Sequence, residues 1–184
     1  MLMLFLAGSL FVVVFLVRKS FLTKLVSPTN KIVRELSGSS WFHHPIWSGV
    51  FLFLTNTLLF GITATVLFLL SYFFIPYLHL AIILLAIFAS LFIWTAIYHA
   101  DHKTKKDRVL MSFLGSSFYL LLLGYAVLNM IFPTTIPDAP EHDQFMEFIG
   151  MLILSIIALT ASFTCFVITG LYRKKNNGNS PDSL

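Results

Sequence analysis

Five long apolar runs dominate this sequence and limit what the chain can fold into. They cover residues 1–17, 46–75, 77–98, 109–132 and 145–171. A helix rises about 1.5 Å per residue, so about 20 apolar residues cross a hydrocarbon core of about 30 Å. The last three runs meet that length, the second is long enough to tilt, and the first is a few residues short. The runs predict an all-α integral membrane protein, a bundle of five transmembrane helices.

The composition excludes other classes of protein. Hydrophobic residues make up 58% of the 184 residues and charged residues 11%, whereas soluble domains usually have about 45–50% and about 25%. A soluble globule of this size could not hide that much apolar surface, because its exterior must be wetted. A soluble enzyme and a disordered chain are therefore excluded. Cys165, the single cysteine, cannot form an internal disulfide.

Proline positions agree with the division into helices. All seven prolines lie outside the five runs, where a missing N–H costs little. Pro76 separates the second run from the third and leaves space only for a tight turn. We therefore expect these two runs to form an antiparallel hairpin.

The basic residues predict the orientation of the chain. All 12 fall into three groups, which follow the first, third and fifth runs. Five spans place these groups on one side, and short loops rich in Lys and Arg stay cytoplasmic. The sequence thus predicts the N-terminus outside and the C-terminus inside, with anionic lipid headgroups at the cytoplasmic face as partners. A nucleic-acid partner is not expected. The groups are Arg18, Lys19, Lys24, Lys31 and Arg34; Lys103, Lys105, Lys106 and Arg108; and Arg173, Lys174 and Lys175.

The domain organisation follows from the same runs. We expect a single transmembrane domain over residues 1–175 and a flexible polar cytoplasmic tail over residues 176–184. The first run lacks the positive residues that precede the apolar part of a signal peptide, which favours an uncleaved anchor. A four-span protein with a cleaved first run is the alternative, and it has the same sidedness. A multi-pass protein of a cell membrane, most simply the bacterial plasma membrane, is the expected class.

A short helix is predicted between the first two spans. Ser27 followed by Pro28 is typical of a helix N-cap with proline at the first helical position. Trp41 and Trp47 flank the entry to the second span, as amphipathic rings do at headgroup level. This pattern predicts a helix lying in the membrane interface. Three apolar residues are expected to share one face of this helix: Ile32, Val33 and Leu36.

Four histidines are candidate metal ligands. His43 and His44 precede the second span, while His99 and His102 end the third. The hairpin brings them to the same membrane face, and imidazole is a ligand for zinc, copper and iron. A haem held by two of them on facing helices is a related alternative. The pattern is weak, histidines also lie at interfaces as solvated side chains, and we expect no cofactor.

The fifth run carries a stripe of small residues at spacings of three and four. Such a stripe lets another helix approach closely, so it predicts a helix-packing seam, either within the chain or between subunits. The seam residues are Ser155, Ala158, Ser162, Cys165 and Thr169.

Three functional hypotheses follow. No CxxC, GxSG, HExxH or Walker motif is present, which favours a non-catalytic membrane protein that acts as a subunit or accessory factor through helix–helix contacts. The alternatives are a metal- or haem-binding membrane protein and a component of an oligomeric transporter or channel. In the transporter, Asn56, Thr57 and Glu147 would face a shared pathway.

Overall fold

The computed structural model describes residues 30–73, 76–100, 104–132 and 141–171. About 94% of these residues are helical, and none of them forms a strand. The first predicted span, residues 1–17, and the predicted tail, residues 176–184, lie outside the described residues.

Five α-helices make up the described part of the chain. The short α1 (Lys31–Gly38) leads through a 3-10 turn (Ser40–His43) into α2 (Pro45–Ser71). The chain continues as α3 (Pro76–Ala100), α4 (Lys105–Ile131) and α5 (Glu141–Phe166), and α5 is extended by a π-helical turn, Val167–Leu171. Four of these described helices, α2 to α5, are long and apolar enough to cross a membrane.

The short helix starts later than the sequence predicted. Asn30 is its N-cap, and the side chain accepts a hydrogen bond from the backbone N–H of Ile32 at 3.3 Å. Asparagine is among the strongest N-cap residues, so the cap predicted at Ser27 is corrected to Asn30. Ser27 and Pro28 themselves lie outside the described residues. On this helix Val33 is buried, whereas Ile32 is exposed.

Two spanning helices differ in length from the apolar runs because local hydrogen bonds set their ends. α4 begins before residue 109, because the Thr104 hydroxyl accepts from the Asp107 backbone N–H at 3.4 Å and donates to the Asp107 carboxylate at 2.7 Å. This N-cap places Lys105, Lys106 and Arg108 in the first turn of the helix. α2 ends at Ser71 rather than at residue 75, because the N–H groups of Tyr72 and Phe73 bond to carbonyls within its last turn.

α4 lies at the centre of the bundle and packs against both α2 and α5. The pair α2 and α4 is parallel, because Gly49 lies beside Met111 and Phe60 contacts Phe118 further along both helices. The pair α4 and α5 is antiparallel, because Thr169 contacts Ser112, whereas Ser155 contacts Met130. The hairpin partners α2 and α3 share a smaller contact than α2 and α4 do.

Burial is concentrated at one end of the bundle, which we call the basic end. It contains the beginnings of α2 and α4, the end of α3 and the π-helical turn. Leu91 and every residue from Trp94 to Ala100 are buried, since α1 and the π-helical turn pack on this part of α3. The other halves of α2 and α3 are largely exposed. The basic end is defined by its described basic residues: Lys31, Arg34, Lys105, Lys106 and Arg108.

Candidate functional site

One buried amide joins all four long helices. The Asn56 side chain on α2 is 1% exposed. Its Oδ1 accepts from Trp94 Nε1–H on α3 at 2.9 Å, and its Nδ2 donates to the Gly115 carbonyl on α4 at 3.0 Å. Cys165 Sγ on α5 lies 3.7 Å from the same Nδ2. Both ends of the carboxamide are therefore satisfied inside the chain.

The position of this amide along the helices explains why it needs partners. At about 1.5 Å per residue, Asn56 lies about 16 Å along α2 from Pro45, and Cys165 lies about 9 Å from Leu171. An unsatisfied polar group at such a depth in hydrocarbon costs several kcal/mol. The amide is stable there because each of the other three long helices supplies a partner.

An aromatic ring packs beside the Trp94 end of this cluster. Trp94 is 4% exposed, and its ring meets Tyr119 edge to face at a centroid distance of 6.2 Å. This ring contact joins α3 to α4 beside the indole that donates to Asn56.

Glycines allow the close approach on which the Asn56 bond depends. A Cβ at Gly115 would collide with the side chain of Leu52 on α2, and a Cβ at Gly49 would come within 2.8 Å of Leu114 Cβ. The two backbones can therefore approach only because both positions lack a side chain. With α2 and α4 this close, the short Asn56 side chain reaches a backbone carbonyl on the neighbouring helix.

The small-residue stripe on α5 lies within the chain, against α4. Thr169 Oγ1 is 2.7 Å from the Cys165 carbonyl and 3.0 Å from Ser112 Oγ, and Ser112 Oγ donates to the Arg108 carbonyl at 2.8 Å. Ser155 Oγ lies 3.8 Å from Met130 Sδ near the other end of the pair. The members of the stripe that are buried are Ala158, Ser162, Cys165 and Thr169.

The residues assigned to a shared transport pathway are not brought together. Asn56 lies inside the bundle, whereas Thr57 is exposed, and its hydroxyl donates to the Phe53 carbonyl at 2.9 Å. Glu147 is partly exposed, and it lies about 27 Å along α5 from Cys165, which contacts Asn56. These three side chains therefore do not line one surface of the chain.

The histidines occupy different environments. His43 is exposed, and its Nδ1 lies 3.0 Å from the Ser39 carbonyl oxygen; His44 is exposed as well. The His99 ring is buried beside Tyr98, with the ring centroids 5.2 Å apart. His102 lies outside the described residues. Within the described ranges, no three His, Cys, Asp or Glu side chains come close enough to hold a metal ion, and the metal site stays a prediction.

Sequence reasoning missed the partners of Asn56. The sequence carried a signal for one of them, because α4 has small or polar residues at helical spacing on the face that meets α2 and α5: Ser112, Gly115, Ser116 and Tyr119. All four are buried. Trp94 gave no such signal, since tryptophan near a helix end is also typical of the membrane interface.

The fold defines a class of protein. The four long apolar helices, the all-α architecture and the polar contacts inside the bundle indicate a membrane-embedded helical protein. The chain matches no protein-family model, no curated protein and no solved structure.

Proposed function

We propose that this chain is a non-catalytic multi-pass membrane protein that acts as a subunit or accessory factor through helix–helix contacts. The observation that carries the proposal is a stripe of small residues on the exposed face of α2: Thr57, Gly61 and Thr65. The Thr65 hydroxyl donates to the Gly61 carbonyl at 2.8 Å, so it is satisfied within its own helix. A Cβ at Gly61 would meet no atom within 4 Å.

A comparison of the two stripes in the chain supports this proposal. The α5 stripe is covered by α4, whereas the described helices leave the α2 stripe open. Small residues allow two helix backbones to approach closely in a membrane, where packing rather than water exclusion drives association. The α2 stripe is therefore the surface we assign to a partner helix.

The experiment is a substitution at the open glycine. Gly61→Leu fills the stripe and should abolish co-purification of a partner that is crosslinked to the wild-type chain in native membranes. Gly124→Leu is the matched control, because Gly124 on α4 is equally open. Equal recovery of the partner with both variants would contradict the proposal.

The proposal includes a finer topology. In it, residues 1–17 form a fifth span, the N-terminus is outside and the basic end faces the cytoplasm of a cell, most simply a bacterium. The clustering of five described basic residues at one end supports this orientation, since Lys and Arg accumulate on the cytoplasmic side.

A further inference from the structure

The 30–47 segment, which comprises α1, the 3-10 turn and the first residues of α2, is fixed to the basic end of the bundle. α1 packs against α3, and Val33 is buried there. Phe42 is also buried, at 2% exposure. The Trp41 ring contacts Phe51 of α2 edge to face at 5.4 Å. These contacts hold the segment in one position against the spanning helices.

The outer side of the same segment exposes large apolar side chains. Trp47 is 63% exposed and Trp41 is 45% exposed, although Trp41 is held on one side by Phe51. Ile32 and Ile46 are also exposed. Two exposed tryptophans at the end of a membrane-spanning helix are typical of the headgroup region, where an amphipathic ring contacts both acyl chains and water.

Positive charge lies at the same end of the bundle as these rings. Lys31 and Arg34 are exposed on α1, and Lys105 and Lys106 are exposed at the start of α4, on the same end of the bundle. The two described carboxylates at this end already have partners. Glu35 lies 3.9 Å from Lys31 Nζ, and Asp107 accepts from the capping Thr104 hydroxyl. The described residues at the basic end thus include five basic side chains and two carboxylates.

We propose that the 30–47 segment is a binding surface for anionic phospholipid headgroups. Lys31 and Arg34 contact the phosphates, and Trp41 and Trp47 lie at the level of the glycerol backbone. The inference rests on the proposed function, in which the chain is embedded in a membrane, and it assigns anionic phospholipid as the partner of the 30–47 segment. The combination of cations with exposed indoles fits a phospholipid, which supplies a phosphate and an apolar chain in one molecule.

Tryptophan fluorescence can test this assignment directly. The chain has three tryptophans, so Trp94→Phe leaves only Trp41 and Trp47 as reporters. The purified variant is placed in bilayers that contain brominated phosphatidylglycerol or brominated phosphatidylcholine at the same mole fraction. Each basic residue near a membrane surface contributes a few-fold preference for anionic lipid, so quenching by the anionic lipid should be at least about twofold stronger.

Two further variants isolate the charge. Lys31→Gln with Arg34→Gln should make quenching by the two lipids equal, whereas Glu35→Gln, which removes a negative charge on the same helix, should keep or increase the anionic preference. High salt should reduce the preference of the parent variant. Equal quenching by the two lipids in the parent variant would overturn the proposal.

A second measurement avoids any loss of folding caused by Trp94→Phe. Spin-labelled phosphatidylglycerol and phosphatidylcholine are compared with the wild-type chain, and the immobilised fraction should be larger for the anionic lipid. Lys31→Gln with Arg34→Gln should remove that difference.

Both lipid assays use purified protein without a partner, and Gly61→Leu should leave their results unchanged. Failure of the lipid assays therefore overturns the lipid surface alone, whereas failure of the Gly61→Leu co-purification test overturns the partner helix alone.

Discussion

Asn56 shows how one side chain can specify the arrangement of four helices. A leucine at this position would pack against almost any apolar neighbour, whereas the carboxamide requires a donor on one side and an acceptor on the other. Trp94 and Gly115 meet that requirement at 2.9 and 3.0 Å. Other packings of these apolar helices would leave the amide unsatisfied in hydrocarbon, so they are disfavoured.

The energetic role of Asn56 can be measured with a double-mutant cycle. Asn56→Leu leaves the Trp94 indole N–H buried without its acceptor, and we expect it to lower the free energy of unfolding by about 1–3 kcal/mol. Trp94→Phe removes that donor. The double variant should therefore lose less than the sum of the single variants, by about 0.6–1.7 kcal/mol. Unfolding in mixed detergent and dodecyl sulfate gives the values, and strictly additive losses would show that the hydrogen bond contributes nothing.

Cys165 offers a chemical test at the same scale. Its side chain on α5 is fully buried against the Asn56 amide. A maleimide should therefore not label Cys165 in the folded protein, and it should label Cys165 after denaturation in dodecyl sulfate. Gly38→Cys is the positive control, because Gly38 is exposed at the end of α1 with open space around it. Rapid labelling of native Cys165, at a rate similar to that of residue 38, would contradict the burial.

At the scale of the helix, the contact between α2 and α4 depends on glycine. Gly115→Ala places a methyl group against Leu52, and we expect overpacking to cost about 1–3 kcal/mol of unfolding free energy. Gly124→Ala, on the open face of the same helix, should be neutral or should stabilise by up to about 1 kcal/mol, since alanine is the better helix former. The measurement is again unfolding in mixed detergent.

A second substitution tests the cause of that loss. Leu52→Ala in the Gly115→Ala background removes the side chain that the new methyl group would meet. The double variant should therefore be more stable than the sum of the two single losses predicts. If Gly115→Ala and Gly124→Ala change the free energy of unfolding equally, helix propensity rather than close packing determines the effect of a substitution at residue 115.

The helices themselves could be predicted from the sequence, but their ends and neighbours could not. Runs of apolar residues predict helices because backbone groups in a membrane must be bonded within the segment. The start of α4 depends on a cap at Thr104 that the apolar pattern does not show. The sequence predicted the α5 stripe as a seam without naming its partner, because lipid-facing and helix-facing apolar residues have the same composition.

At the scale of the whole molecule, the proposed orientation of the bundle gives a further prediction. Gly38 lies at the basic end, and Gln144 lies near the start of α5 at the opposite end; both are exposed. In a Cys165→Ala background, Gln144→Cys should react with a membrane-impermeant maleimide in intact cells. Gly38→Cys should react only after the membrane is opened. Labelling of both positions from outside, or of Gly38→Cys alone, would contradict the orientation derived from the basic residues.

The uneven distribution of buried residues has a mechanical consequence. The described helices are held together mainly near α1 and the π-helical turn, while residues 61–71 of α2 and 78–88 of α3 are largely exposed. A force applied at that end of the two helices would separate α2 from α3 first and would meet its main resistance only at the Asn56–Trp94 bond. The bundle should therefore extend in two stages under tension: an easy opening of the hairpin tip, followed by rupture of the tightly packed base.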